Sequence, residues 1–132
     1  MDIKVLVAVH KPYRMPKDSA YLPIHVGYKK KKNIGFIGDH TGDNISEKNP
    51  NFCELTAYYW AWKNLDAEYV GLVHYRRHFR GKRKSMDKFD CILTREEMEQ
   101  IFSKYSLIYP KSAIILLRPC GAIMSILMSL RH

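Results

Sequence analysis

The sequence predicts an α/β domain built on an open sheet, and three observations carry that prediction. Two short apolar runs, Ile3–Val9 (IKVLVAV) and 69–73 (YVGLV), are rich in β-branched residues and too short for helices of their own. Each stops at a basic cluster, His10-Lys11 in the first case and His74-Tyr75-Arg76-Arg77 in the second. Two further segments, near 51–65 and 94–105, space their apolar residues as helices do. In open α/β sheets ligands collect beyond the carboxyl ends of the strands, so the two basic clusters form the candidate site.

At 132 residues the chain is read as one domain with a sizeable core. A hydrophobic share of 46% and nine tyrosines exclude a disordered chain. Lys+Arg number 22 against 13 for Asp+Glu, a net charge of +9. This surplus favours anionic partners (phosphates, nucleic acid or an anionic membrane surface) without choosing among them. Cys53, Cys91 and Cys120 are widely spaced and form no CxxC pair, which argues against a zinc knuckle or a disulfide framework. Reduced thiols in the cytoplasm are the simplest account. Asp2 and Lys4 interrupt the first apolar stretch, so no secretory signal is expected.

Taken in order, the first strand ends at His10-Lys11-Pro12. Pro12, Pro16 and Pro23 keep 11–23 out of helix, giving a loop or crossing segment in which Tyr13 and Tyr21 cover a ligand or cap the core. The lysine run 29–32 reads as a solvated loop or as a contact with a membrane surface. A second short strand is expected at 34–37, followed by the polar turn Gly38-Asp39-His40-Thr41-Gly42-Asp43-Asn44. Asp39 and Asp43 there suit a divalent metal or a ribose, and they equally suit a tight turn with no ligand.

A helix is expected from Asn51 as N-cap, with Glu54 at the third position completing a capping pair. Its apolar stripe is read as Leu55, Tyr58 or Tyr59, Trp62 and Leu65, ending at Asn64 or Asp66. After the His74–Arg77 cluster come a basic loop at 81–85 and a short segment at 89–93 that could be a strand. Thr94 with Glu97 forms a capping box for a helix whose stripe is Met98, Ile101, Phe102 and Tyr105. Residues 106–110 begin another strand.

From Lys111 the texture changes, since the last acidic residue is Glu99 and 113–130 is almost wholly apolar apart from Arg118. Its length approaches the ~20 residues of a membrane span, but Arg118, Pro119 and Gly121 in the middle oppose one. A one-base frame shift of the back-translated 112–128 permits a polar string rich in Tyr, His and Glu, like the rest of the chain. The expectation is therefore a frameshifted terminus, which sequencing the encoding DNA would test.

Four motifs in order, His10-Lys11-Pro12-Tyr13, the 38–46 turn, the 51–64 helix and Gly71-Leu72-Val73-His74-Tyr75-Arg76-Arg77, resemble a family of bacterial proteins from capsular and exopolysaccharide gene clusters. That family is catalogued as a domain of unknown function and regarded as glycosyltransferase-like, of the GT-A type. The resemblance covers about 3–110, and 111–132 departs from it as an atypical apolar tail.

The resemblance implies a Rossmann-like GT-A open sheet with flanking helices, truncated at the carboxyl end, that binds a nucleotide-diphosphate sugar. GT-A enzymes usually hold a metal on an Asp-x-Asp at a central strand end, a place taken here by His74-Tyr75-Arg76. Mn²⁺ or Mg²⁺, if used, would fall to Asp39 or Asp43. Arg76 and Arg77 would hold the departing diphosphate through bidentate hydrogen bonds, with His74 orienting it or donating a proton. His10, Lys11 and Tyr75 would lie near the nucleotide and Asp39, Asp43 and Asn44 near its hydroxyls, with Glu54 capping its helix or reaching the ligand. The acceptor would be a polysaccharide or a lipid-linked sugar, and the location cytoplasmic, peripheral to the membrane. An inactive truncated remnant is the alternative, with a basic nucleic-acid-binding module as a third and weaker reading. A nucleic-acid partner is not expected, because no RNP, KH or zinc pattern accompanies the basic residues.

Overall fold

The computed structural model of the protein describes residues 2–28 and 32–105, with the backbone of 107–108 and 116–117. Lys29 to Lys31 of the lysine run, and Arg118, Pro119 and Gly121 of the tail, lie outside the described residues. Strands β1 (Ile3–Val9), β2 (Tyr21–His25), β3 (Ile37–Gly38), β4 (Tyr69–His74), β5 (Leu107–Ile108) and β6 (Leu116–Leu117) form a sheet in the order β3-β2-β1-β4-β6-β5. The first four run parallel. Strand β6 lies antiparallel to β4, pairing Leu117 with Val70 and Leu116 with Gly71, and β5 pairs with β6. The expected α/β open sheet is therefore present, and the carboxyl ends of its four parallel strands share one edge.

Central position explains the composition of β1. Ile3, Val5, Val7 and Val9 face one side, packing with Tyr69, Val73, Met98 and Phe102. Leu6 and Ala8 face the other, with Val70, Leu72, Ala57 and Ala61. A strand covered on both faces needs a near-continuous apolar run, broken here only by Lys4 near its start, and that run is what made it readable. Helix α3 (Arg95–Phe102) covers the first face and α2 (Leu55–Asn64) the second.

Strand β2 corrects the expected loop at 11–23. Pro23 sits inside it, opposite Val7. Alternate residues of a parallel strand bond to opposite sides, and on β2 it is the Ala20 carbonyl and the Val26 amide that bond β1. The missing amide of Pro23 thus points toward β3, which begins only opposite Ile24. The proline therefore leaves no ladder bond unmade. The strand expected at 34–37 is confined to Ile37–Gly38.

The helix expected from Asn51 is two pieces, α1 (Asn49–Phe52) and α2, parted by Cys53 at φ 52 and ψ −131. Its buried face is Thr56, Ala57, Tyr58, Trp60 and Ala61, whereas Leu55, Trp62 and Leu65 only flank it. Helix α3 has the expected capping box, in which the Thr94 side chain accepts from the Glu97 amide. Met98 and Phe102 are buried, but Tyr105 lies beyond the helix and is exposed. Residues Lys88–Cys91 form a 3-10 turn instead of a strand, leaving a single bridge between Arg80 and Ile92.

Candidate functional site

The site is organised by the turn that ends β4. The Arg77 amide donates to the His74 carbonyl at 2.8 Å, closing a four-residue turn with Tyr75 and Arg76 at its centre. The Tyr75 amide continues the ladder to the Ala8 carbonyl, so the turn stays attached to β1. Tyr75 is buried, at 1% exposure, and its ring is the hub of the rim. The His10 ring meets it edge-on at 5.2 Å and Tyr13 at 4.9 Å. Lys11 Nζ lies 5.7 Å from the ring centre and the Arg76 guanidinium 5.3 Å. One aromatic ring thus gathers cations from two strand ends, each attracted to its π-face. His10, Lys11, Arg76 and Arg77 themselves are exposed.

His74 is half-buried beside this hub, its ring 4.3 Å from that of Tyr75. Burial pushes its pKa below the ordinary value, the Glu54 carboxylate opposes the shift, and Arg76, His10 and Arg77 add to it. Glu54 occupies the N-cap position of α2 without a side-chain cap bond, contrary to the capping role expected of it. Its charge reaches His74. The Arg76 amide donates to His74 Nδ1 at 3.4 Å, a long contact that leaves Nε2 as the nitrogen carrying the proton in the neutral ring. His10, Lys11, Glu54, His74, Tyr75, Arg76 and Arg77 are therefore brought together.

Asp39, Asp43 and Asn44 belong to a different neighbourhood. They follow β3, whose backbone lies two strands, or roughly 10 Å, from β1, although the Asp39 side chain reaches back toward Gly27 and Thr56. Asp39 is fully buried, and its carboxylate accepts from the Gly27 and Tyr28 amides at 2.9 and 3.1 Å. The Ser46 and Thr56 hydroxyls also donate to it, each at 2.6 Å. Gly27 turns its amide toward Asp39 at φ +65, a conformation that favours glycine. The Asn44 amide donates to the His40 and Gly42 carbonyls and accepts from the Ser46 amide, so it holds its own turn. Asp43 accepts from the Tyr59 hydroxyl at 3.1 Å and lies 4.0 Å from Lys63 Nζ.

These donor sets do not fit a metal. A divalent ion needs carboxylate lone pairs that face one point, and those of Asp39 are occupied by four donors of the chain while Asp43 is turned to Tyr59 and Lys63. Among the described residues, no group of three His, Cys, Asp or Glu side chains could hold a metal ion. Thr56 and Ser46 were not anticipated from the sequence. The hydroxyls lie 17 and 7 residues from the acid they bond, a separation that no local motif announces.

Four parallel strands with helices on both faces, and cations gathered at their shared carboxyl edge, define a Rossmann-like α/β domain. Residues 4–125 match the family described as a domain of unknown function (DUF4422), and the chain belongs to that family. Among solved structures it is similar to the apo structure of WbbM, a bifunctional glycosyltransferase, at 35% identity and a TM-score of 0.74. That likeness covers 84% of this chain and 23% of the other, and it accords with the GT-A-like fold expected from the sequence. This chain therefore spans less than a quarter of the length of the structure it matches. No curated protein matches it.

Proposed function

We propose that the chain is the donor-binding part of a glycosyltransferase that takes a sugar from a nucleotide diphosphate. The observation that carries this is the convergence of His10, Lys11 and Arg76 on the buried Tyr75 ring at the shared carboxyl edge of β1 and β4. The likeness to a bifunctional glycosyltransferase supports it.

In the proposed mechanism the acceptor hydroxyl adds to the anomeric carbon and gives its proton up to solvent, while the bond from that carbon to the diphosphate oxygen breaks and its electron pair leaves with the diphosphate. Negative charge then gathers on the leaving diphosphate. The β4 turn holds the backbones of Arg76 and Arg77 at this strand end, and the Arg76 guanidinium lies over the Tyr75 ring, so little rearrangement is needed for the pair to stabilise that charge. Lys11 and His10 approach the same anion from β1. His74, kept neutral by burial and its cationic neighbours, serves as a hydrogen-bond donor through Nε2.

Asp39 is assigned to holding the Gly27 turn and α2 in place through its four hydrogen bonds. The polysaccharide or lipid-linked acceptor and the capsular or exopolysaccharide setting rest on the motif resemblance. The cytoplasmic location is supported by the free thiols of Cys53 and Cys91.

The test is a thermal-shift screen of nucleotide-diphosphate sugars, with and without Mn²⁺, on the wild type and on Arg76→Ala/Arg77→Ala. A ligand at a hundred times its dissociation constant stabilises the folded state by about 2.7 kcal/mol, a shift of several degrees for a domain of this size. The wild type alone is expected to respond, whether or not Mn²⁺ is present. Equal shifts in both proteins, or none in either, would remove the clamp.

A further inference from the structure

The segment leaving the site carries Arg76, Arg77, Arg80, Lys82, Arg83, Lys84 and Lys88 against a single acid, Asp87. All seven cations are exposed. Asp87 is already engaged, because Arg14 Nη2 lies 2.8 Å from its carboxylate. Beyond the loop, Asp90 accepts from the Ser85 hydroxyl and Glu97 of α3 accepts from the Lys82 amide. The acids near the loop therefore bond its base and its backbone, and the charges at its tip point outward.

The loop is also held in shape. Arg80 bridges Ile92, the Gly81 amide donates to the Cys91 carbonyl at 2.7 Å, and the Leu93 amide donates to the Phe79 carbonyl at 2.8 Å. The Cys91 thiol reaches the Ser85 and Asp87 carbonyls at 3.4 and 3.6 Å. A loop clamped at its neck presents its tip as a fixed surface. At that tip Met86 is 105% exposed, an apolar side chain packed against nothing. One exposed methionine is unremarkable alone, but placed among Lys82, Arg83, Lys84 and Lys88 it completes a recognisable chemistry. Cations that meet phosphate headgroups, around an apolar group that enters the acyl boundary, are how proteins settle on anionic bilayers.

We propose that the 80–88 loop is a docking surface for an anionic lipid bilayer, with Lys82, Arg83 and Lys84 on the headgroups and Met86 at the acyl boundary. Lys88 Nζ donates to the Arg76 carbonyl at 3.2 Å, so the loop is tied to the cationic rim. Docking sets that rim beside the membrane, where a lipid-linked acceptor would arrive. The docking itself does not rest on the glycosyltransferase reading.

The test is co-sedimentation of the full chain, with no nucleotide present, on phosphatidylcholine vesicles with and without phosphatidylglycerol. The wild type is expected to bind only vesicles containing the anionic lipid, and less as salt is raised. Each neutralised cation should weaken binding about fivefold, so Lys82→Gln/Arg83→Gln/Lys84→Gln should lose on the order of a hundredfold. Met86→Ser should lower the part of binding that survives high salt. Lys48→Gln/Lys104→Gln, at exposed lysines elsewhere, should bind as the wild type does. Circular dichroism of each variant establishes that it is folded. Failure of the wild type to bind, unchanged binding by the loop triple variant, an equal loss in the Lys48/Lys104 control, or equal binding to uncharged vesicles would each overturn the proposal.

Discussion

Asp39 shows how one residue can carry the chemistry expected of a site and still be built into the scaffold. Two amides and two hydroxyls converge on a carboxylate with no exposure to water. Such a group is tolerable only because every lone pair is answered, and removing one donor leaves part of a buried charge unsatisfied. Thr56→Val keeps the shape of the side chain and deletes the hydroxyl. The expected cost is about 1–3 kcal/mol in urea denaturation, with Thr56→Ser close to wild type. A Thr56→Val protein as stable as the wild type would show that the Thr56 contact adds nothing to the support of Asp39.

At the scale of elements, the legible parts were those whose signal is local. The apolar run of β1, the Thr94–Glu97 box and the basic end of β4 can each be read within a few residues. Strand β2 was not legible, because Pro23 argues against a strand until its neighbours are known: only the shortness of β3 excuses the missing amide. Helix α2 misled in another way. Periodicity was counted on its large apolar residues, yet the face against the sheet is built on Ala57 and Ala61, both at 0% exposure.

Small residues let the helix backbone approach Leu6, Ala8, Val70 and Leu72, and the bulky Trp60 is placed at the edge, where its indole N–H donates to the Thr41 hydroxyl at 2.8 Å. A larger side chain at that contact has no room. Ala61→Leu is therefore expected to destabilise by about 1–3 kcal/mol through overpacking, although leucine is a good helix former. A denaturation midpoint unchanged in Ala61→Leu would mean that α2 is not seated as closely as the structure has it. The break at Cys53 was equally hidden. A non-glycine residue at φ 52 is costly, by about 1–3 kcal/mol, and nothing in the sequence around Cys53 requires it.

For the whole molecule the governing fact is excess positive charge, and among the described residues its densest part is the carboxyl edge of β1 and β4 and the loop that follows. The clustering of basic residues at the ends of β1 and β4 was readable because strand-end residues need only a parallel sheet to bring them together. The arrangement after β3 was not, since the same Asp, Asn and Gly residues suit a turn or a ligand, and the hydrogen bonds that hold Asp39 and Asn44 come partly from residues distant in sequence. Charge of this kind also sets how the fold responds to acid.

His78 lies in the chain two residues beyond Arg76, half-buried between the rings of Tyr21 at 6.5 Å and Phe89 at 5.6 Å, and its Nε2 has no hydrogen-bond partner among the described residues. Burial lowers its pKa to about 4, with Lys88 and His74 adding to the shift. His74 is lowered in the same direction and for the same leading cause. In the unfolded chain both return toward 6.5, so between that value and about 4 the unfolded state binds more protons than the folded one. Stability is accordingly full above pH 6.5 and declines as the pH falls through this window. The urea midpoint should drop across it in the wild type and drop less in His78→Phe, which keeps a ring of similar size between Tyr21 and Phe89. Added salt should recover only the part of the loss that comes from Lys88, because screening acts on charge repulsion and leaves the cost of burying a charged imidazole in place. A wild-type midpoint that stays level from pH 7 to pH 4 would show that His78 titrates as an ordinary exposed histidine, and one that salt restores completely would show that neighbouring charge and not burial lowers it.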